Sequence, residues 1–180
     1  MIEIELKGYA DDKIFKRVRE KFEFMRKEQQ EDLYFQHPCR DFAETDEALR
    51  IRIKRFDGHF EAFLTYKGPK LDDVSKTRKE IEVPISDVKL YLDILSSLGF
   101  KKVATVEKIR EKYYVEKGIT ITLDEVKGLG KFIEIEELAA EDAEIKREVK
   151  KLKNILLALG VRHFERKSYL ELISEYSKRY

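Results

Sequence analysis

Apolar and charged residues alternate with a period of two over much of this chain, the signature of β-strands with one buried and one polar face. Ile2, Ile4 and Leu6 fall on one face, and Glu3, Glu5 and Lys7 on the other. The pattern recurs where Leu49, Ile51 and Ile53 oppose Arg50, Arg52 and Lys54, and where Ala62, Leu64 and Tyr66 oppose Glu61, Thr65 and Lys67. It returns with Ile81 and Val83 against Arg78, Glu80 and Glu82, and with Ile119, Ile121 and Leu123 against Thr120, Thr122 and Asp124. Ile133 and Ile135 against Glu134 and Glu136 complete the set. Residues 28–38 and 100–115 carry a fainter form of the pattern and are further strand candidates.

Helical spacing separates these runs. Phe15, Val18, Phe22 and Met25 follow Asp11 and Asp12, which suit a helix start. Ser86 begins a second helix carrying Val88, Leu92, Leu95 and Leu98, and Gly99 ends it. A third runs from about Asp142 to Leu159, with Ile145, Val149, Leu152, Leu156 and Leu159 on one stripe and Gly160 as its stop. Ser168 is placed to cap a short last helix. Asp57-Gly58 is a hairpin signal, Gly128-Leu129-Gly130 reads as another tight turn, and 68–75 reads as a loop. With no repeat, low-complexity tract or linker, these elements predict a single α+β domain over residues 1–180, with about eight mostly antiparallel strands.

Composition narrows the partners. A chain of 180 residues with 42% hydrophobic residues can bury one real core. The charged fraction of 41% far exceeds the usual quarter, yet 37 Lys+Arg against 36 Asp+Glu leave a net charge of +1. That balance argues against nucleic acid as the main partner, because duplex binding draws on a basic surplus that displaces counterions. It also matches the Lys and Glu enrichment of thermophile proteins. Cys39 is alone, so no intrachain disulfide forms. No apolar stretch approaches a membrane span and the start lacks signal-peptide character, so a soluble, cytoplasmic protein is expected. His37, His59 and His163 lack metal-ligand spacing, and neither a Walker-type loop nor a serine nucleophile elbow is present.

The charged faces then need an explanation. A sheet with one wet face produces such alternation by itself. The apolar faces, however, could be covered by the amphipathic helices. If they cover the outside of a closed sheet, the charges point inward, where an eight-stranded barrel has room for one small ligand. Unpaired ions in such a space cost several kcal/mol, so the lining needs water, opposite charges or a charged ligand. A metal-bound polyphosphate meets that need, since carboxylates suit Mg²⁺ or Mn²⁺ and Arg and Lys match phosphate oxygens.

Glu3-Ile4-Glu5-Leu6-Lys7 is followed in order by Arg50-Ile51-Arg52, by Lys67 in Thr65-Tyr66-Lys67-Gly68, and by Arg78-Lys79-Glu80. Lys108-Ile109-Arg110 comes next, then Asp124 and the run from Gly128 to Glu136. This series resembles the CYTH superfamily, the triphosphate tunnel metalloenzymes, whose defining element is Glu-x-Glu-x-Lys on the first strand. The segment from His37 to Arg50 and the tail Ser168-Tyr169-Leu170-Glu171-Leu172-Ile173 resemble its class IV adenylyl cyclase branch more narrowly. The tail itself reads as a capping helix rather than a direct substrate contact.

The resemblance implies an antiparallel eight-stranded barrel or tunnel with helices packed outside. It implies that Glu3, Glu5 and Glu136 ligate Mg²⁺ or Mn²⁺, with Glu134 and Asp124 as further candidates. Lys7, Arg50, Arg52, Lys67, Arg78, Lys108 and Arg110 would grip phosphates, Lys7, Lys108 and Arg110 being the catalytic candidates. Glu80 and Glu82 would orient those basic residues. The implied partner is a triphosphorylated small molecule, ATP or tripolyphosphate, with no nucleic acid and no membrane, and homodimerisation stays open. Conversion of ATP to cyclic AMP and pyrophosphate is the favoured reaction. The alternatives are a triphosphatase acting on inorganic or organic triphosphates, and a sensor that binds polyphosphate or nucleotide without turnover.

Overall fold

The computed structural model describes residues 2–70, 78–139 and 144–177, with side chains described for all of these except 2, 3, 70, 139, 176 and 177. Eight strands form one antiparallel sheet: β1 (Ile2–Tyr9), β2 (Glu23–Gln36), β3 (Ala48–Phe56), β4 (His59–Lys70), β5 (Arg78–Ile85), β6 (Lys101–Glu116), β7 (Ile119–Val126) and β8 (Gly130–Ala139). Their order across the sheet is β1-β8-β7-β6-β2-β3-β4-β5. The sheet curls until its edge strands β1 and β5 approach one another. The expected tunnel is therefore present as a half-barrel, and among the described residues no hydrogen-bonded ladder joins β1 to β5.

Four helices complete the chain: α1 (Asp12–Lys21), α2 (Val88–Ser97), α3 (Ile145–Ala158) and α4 (Tyr169–Ser177). α1 and α3 lay Ile14, Phe15 and Val18, and Val149, Leu152 and Leu156, onto the apolar outer faces of β1, β8 and β7, burying Ile4, Ile121 and Ile135 completely. α2 places Leu95 over Ile51, Ile53 and Ala62 on β3 and β4. Burial of an aliphatic side chain contributes about 1.5–3 kcal/mol, so these patches are what hold the helices to the outside. With the apolar faces committed outward, every second residue of each strand must face the concavity. Among the described residues no helix is long and apolar enough to cross a membrane.

Several local expectations are met at their predicted residues. Asp57 and Gly58 both take positive φ, 48° and 75°, in the two-residue turn pairing Phe56 with His59. Ser168 and Glu171 form a reciprocal cap at the start of α4: Ser168 Oγ accepts from Glu171 N, and Glu171 Oε2 accepts from Ser168 N. Others shift. The first helix was expected to reach Met25 but ends at Lys21, because Phe22 turns extended and Met25 is an exposed strand residue. Asp87, not Ser86, caps α2 by accepting from Leu90 N. The expected third-helix start at Asp142, and most of the expected loop at 68–75, lie outside the described residues.

Candidate triphosphate site

Strand alternation turns one face of each strand into a charged lining. β3 contributes Arg50, Arg52 and Lys54, β8 contributes Glu134 and Glu136, and β6 contributes Lys108 and Arg110. Glu5 of β1, Lys67 of β4 and Arg78, Glu80 and Glu82 of β5 border the same cavity, whose volume is about 840 Å³. Register explains the convergence. Lys108 and Arg110 lie opposite Gln30 and Glu28 on β2, and Arg110 lies opposite Asp124 on β7. Glu5 pairs directly with Glu136, and Lys7 with Glu134, across β1 and β8.

Two buried carboxylates organise the cations. Asp32, 1% exposed, receives Arg52 through Nε and Nη2, both at 2.6 Å, and Arg50 Nη1 lies 3.6 Å away. Burial alone would raise Asp32, but Arg52 and Arg50 hold it well below the usual carboxylate range. Burial also works against the charge on Arg52, and the Asp32 carboxylate overcomes it. Asp124, fully enclosed, accepts from Arg110 Nε at 2.7 Å and Nη2 at 2.5 Å, from Lys108 at 3.3 Å and from the Tyr169 hydroxyl at 2.9 Å. Its affinity for a proton is lowered, against burial, by Arg110 and Lys108. Arg110 also reaches Glu134. Lys108 is pushed down to about 8 by burial and by the neighbouring Arg110.

Both oxygens of Asp124, one of the expected metal ligands, are engaged by basic side chains and Tyr169, so in this arrangement it fixes Arg110 and Lys108. Lys7 is also placed unexpectedly: it is 2% exposed, donates to the Lys167 carbonyl, and its ammonium sits 4.1 Å from the Tyr169 ring centroid. Lys67 pairs with Glu80, while Glu82 accepts from Thr65 at 2.9 Å and lies 3.8 Å from Arg50. Burial lowers the Lys67 pKa; Glu80 is held low by Lys67 against its own burial. Arg78 reaches Asp46 at 3.6 Å.

Among the described residues, no group of three His, Cys, Asp or Glu side chains gathers closely enough to hold an ion. The side chain of Glu3, an expected ligand, lies outside the described residues. The donor chemistry of the remainder nonetheless fits a hard divalent cation. Glu5 and Glu136 are direct cross-strand neighbours, a like-charge placement that is unfavourable without a cation. Lys112, at 2.6 Å, and Thr120, at 2.7 Å, bond Glu136 here, and Lys112 and Thr120 hold it below its ordinary pKa against burial. Mg²⁺ is commonly bound by one or two carboxylates together with substrate phosphates, and such a pair supplies that half of a site.

Asp32, Lys112 and Tyr169 have roles in this site that strand alternation did not reveal. Asp32 sits in Glu28-x-Gln30-x-Asp32, where the inward face has no apolar counterpart until Leu33 and Phe35. Tyr169 was placed on a capping helix, and that helix borders the cavity with Ser168, Tyr169, Leu170 and Glu171.

Residues 1–169 match the CYTH domain family. The chain is 46% identical over 177 residues to a Methanocaldococcus jannaschii protein, MJ0240, provisionally named an adenylate cyclase, covering 96% of this chain and 98% of that one. Adenylate cyclase CyaB of Aeromonas hydrophila is 26% identical over 149 residues, 82% of this chain and 73% of that protein. Among solved structures, the PH1819 protein of Pyrococcus horikoshii OT3 shares 68% identity and superposes with a TM-score of 0.95, over 97% of this chain and 99% of that chain. The family match runs from the first tunnel strand to the first residue of α4, and the chain belongs to the CYTH domain family.

Proposed function

We propose that the chain is a divalent-metal-dependent enzyme acting on triphosphates, and that its reaction is conversion of ATP to cyclic AMP and pyrophosphate. The observation that carries this reading is the cavity lining: Arg50, Arg52, Lys67, Lys108 and Arg110 converge on one space that also holds Glu5 and Glu136. The names borne by the two curated relatives support the cyclase form of it. So does the apolar portion of the lining, where Phe42, Val103 and Leu170 offer a surface suited to a nucleobase.

Phosphoryl chemistry of this kind depends on positioning and charge stabilisation. Asp32 and Asp124 hold their arginines by paired hydrogen bonds, so the donors are oriented before substrate arrives. In the reaction the 3′-oxygen bonds to the α-phosphorus, its proton departs, and the bond to pyrophosphate breaks. The arginines and Lys108 stabilise the negative charge that accumulates on the leaving group. Mg²⁺ or Mn²⁺, held by Glu5 and Glu136 with Glu3 on the same strand, would supply further neutralisation of the phosphate oxygens.

The test is product analysis. The protein is incubated with ATP or tripolyphosphate and Mg²⁺ or Mn²⁺, and products are resolved by chromatography. Cyclic AMP with pyrophosphate is expected. ADP with phosphate, or cleaved tripolyphosphate, would replace the cyclase with a triphosphatase, and tight binding without product would leave a sensor. Glu5→Ala and Glu136→Ala are each expected to abolish metal-dependent turnover with the fold intact; wild-type rates in both would remove the metal assignment.

A further inference from the structure

Lys54 stands apart from the other cations of the cavity. Arg50 and Arg52 share Asp32, Lys67 has Glu80, Arg78 has Asp46, and Lys108 and Arg110 have Asp124. Lys54 borders the same cavity yet makes no ion pair among the described residues; its ammonium rests 4.4 Å from the Phe63 ring centroid. Burial, and then Arg52 beside it, hold its pKa below the ordinary lysine value. Lys54 is partly buried, with Glu28 and Glu82 near enough to favour its charge but neither in contact with it, and such an ammonium gains more from an arriving anion than one that must first release an ion-pair partner.

Its position gives the anion an identity. Lys54 is four residues beyond Arg50 on β3, about 13 Å along the strand at the usual rise. Arg50 lies at the end closed by α4, where Tyr34 and Ala48 pack in the same cluster as Tyr169 and Leu170. The apolar residues Phe42, Val103 and Leu170 belong to the cavity that this end borders. Lys54 lies toward the β3–β4 hairpin, directly opposite Gln30, whose other neighbour is Lys108.

Resting on the triphosphate reading above, we propose that Lys54 forms the subsite for the terminal phosphoryl group, with the nucleoside end of the substrate lying toward α4. Lys54 thereby selects triphosphates over diphosphates. The experiment is calorimetric titration of the full chain in Mg²⁺ buffer with tripolyphosphate and with pyrophosphate, for wild type, Lys54→Met and Lys54→Arg. Lys54→Met should weaken tripolyphosphate at least about tenfold, the scale of one lost charge-assisted hydrogen bond, and leave pyrophosphate within about twofold. Lys54→Arg should retain most of the preference. All three should melt together, since Lys54 has no ion-pair partner to strand. Equal tripolyphosphate affinity in wild type and Lys54→Met, or an equal loss for both anions, overturns the subsite while leaving the triphosphate reading in place. Failure of the wild type to bind either anion overturns both.

Discussion

Asp32 is enclosed with two guanidiniums, so its charge is matched where water cannot reach. Asp32→Asn would leave Arg52 without its carboxylate and Arg50 with only Glu82 at 3.8 Å, and should lower stability by about 3–5 kcal/mol. Denaturant unfolding measures this, and an unchanged midpoint and slope would contradict it. The sign of the pH effect follows from the direction of the shift. Because Asp32 is lowered in the fold, its stabilisation is present above the unfolded value of about 3.9 and is lost as pH falls below it. Wild type should therefore lose stability steeply on acidification, and Asp32→Asn less so. Lys108 behaves oppositely on the alkaline side. With its pKa at about 8, the unfolded chain holds the extra proton between there and about 10.4, so stability rises with pH across that window. A bound triphosphate favours the charged form, so triphosphate affinity should decline above pH 8, with proton uptake on binding at that pH. Calorimetry in buffers of different ionisation enthalpy reads the uptake, and Lys108→Met should abolish it.

At the scale of elements, α4 is tied to the site through its first residue, Tyr169, whose hydroxyl bonds Asp124 and whose ring carries Lys7 and Lys108 at 4.1 and 4.8 Å. Ser168→Ala removes half of the reciprocal cap and should weaken the helix by about 1 kcal/mol. Hydrogen exchange at α4 amides should accelerate severalfold while β6 and β7 amides keep their protection; unchanged α4 exchange would contradict the cap's role. The strands with clean alternation, β1, β3, β7 and β8, were legible because one face meets a helix and the other the cavity. β2 and β6, at 14 and 16 residues the longest strands, gave the fainter pattern. At Gln29, Glu31, Glu107 and Ile109 their outer faces border a solvent-open groove, while Glu28, Gln30, Lys108 and Arg110 are buried, so charge falls on both faces. The overshoot of the first helix to Met25 has a similar source: Phe22 and Met25 continue the helical spacing, but Met25 is half exposed on β2. Motif order placed most of the lining, whereas Asp32 and Tyr169 act through partners distant in sequence, which no local spacing encodes.

Across the whole molecule, apolar strand faces bind helices on the convex side, and this leaves the charged faces turned toward one another. Carboxylates and cations from strands across the sheet then hold each other in the concavity. The most direct measurement is a crystal structure of the protein with a non-hydrolysable ATP analogue and Mn²⁺, using the anomalous signal of manganese to locate the ion. The account predicts the phosphate chain between Arg50, Arg52, Lys108 and Arg110, with manganese at Glu5 and Glu136. Analogue density outside the cavity, or manganese bound only at surface carboxylates, would contradict it.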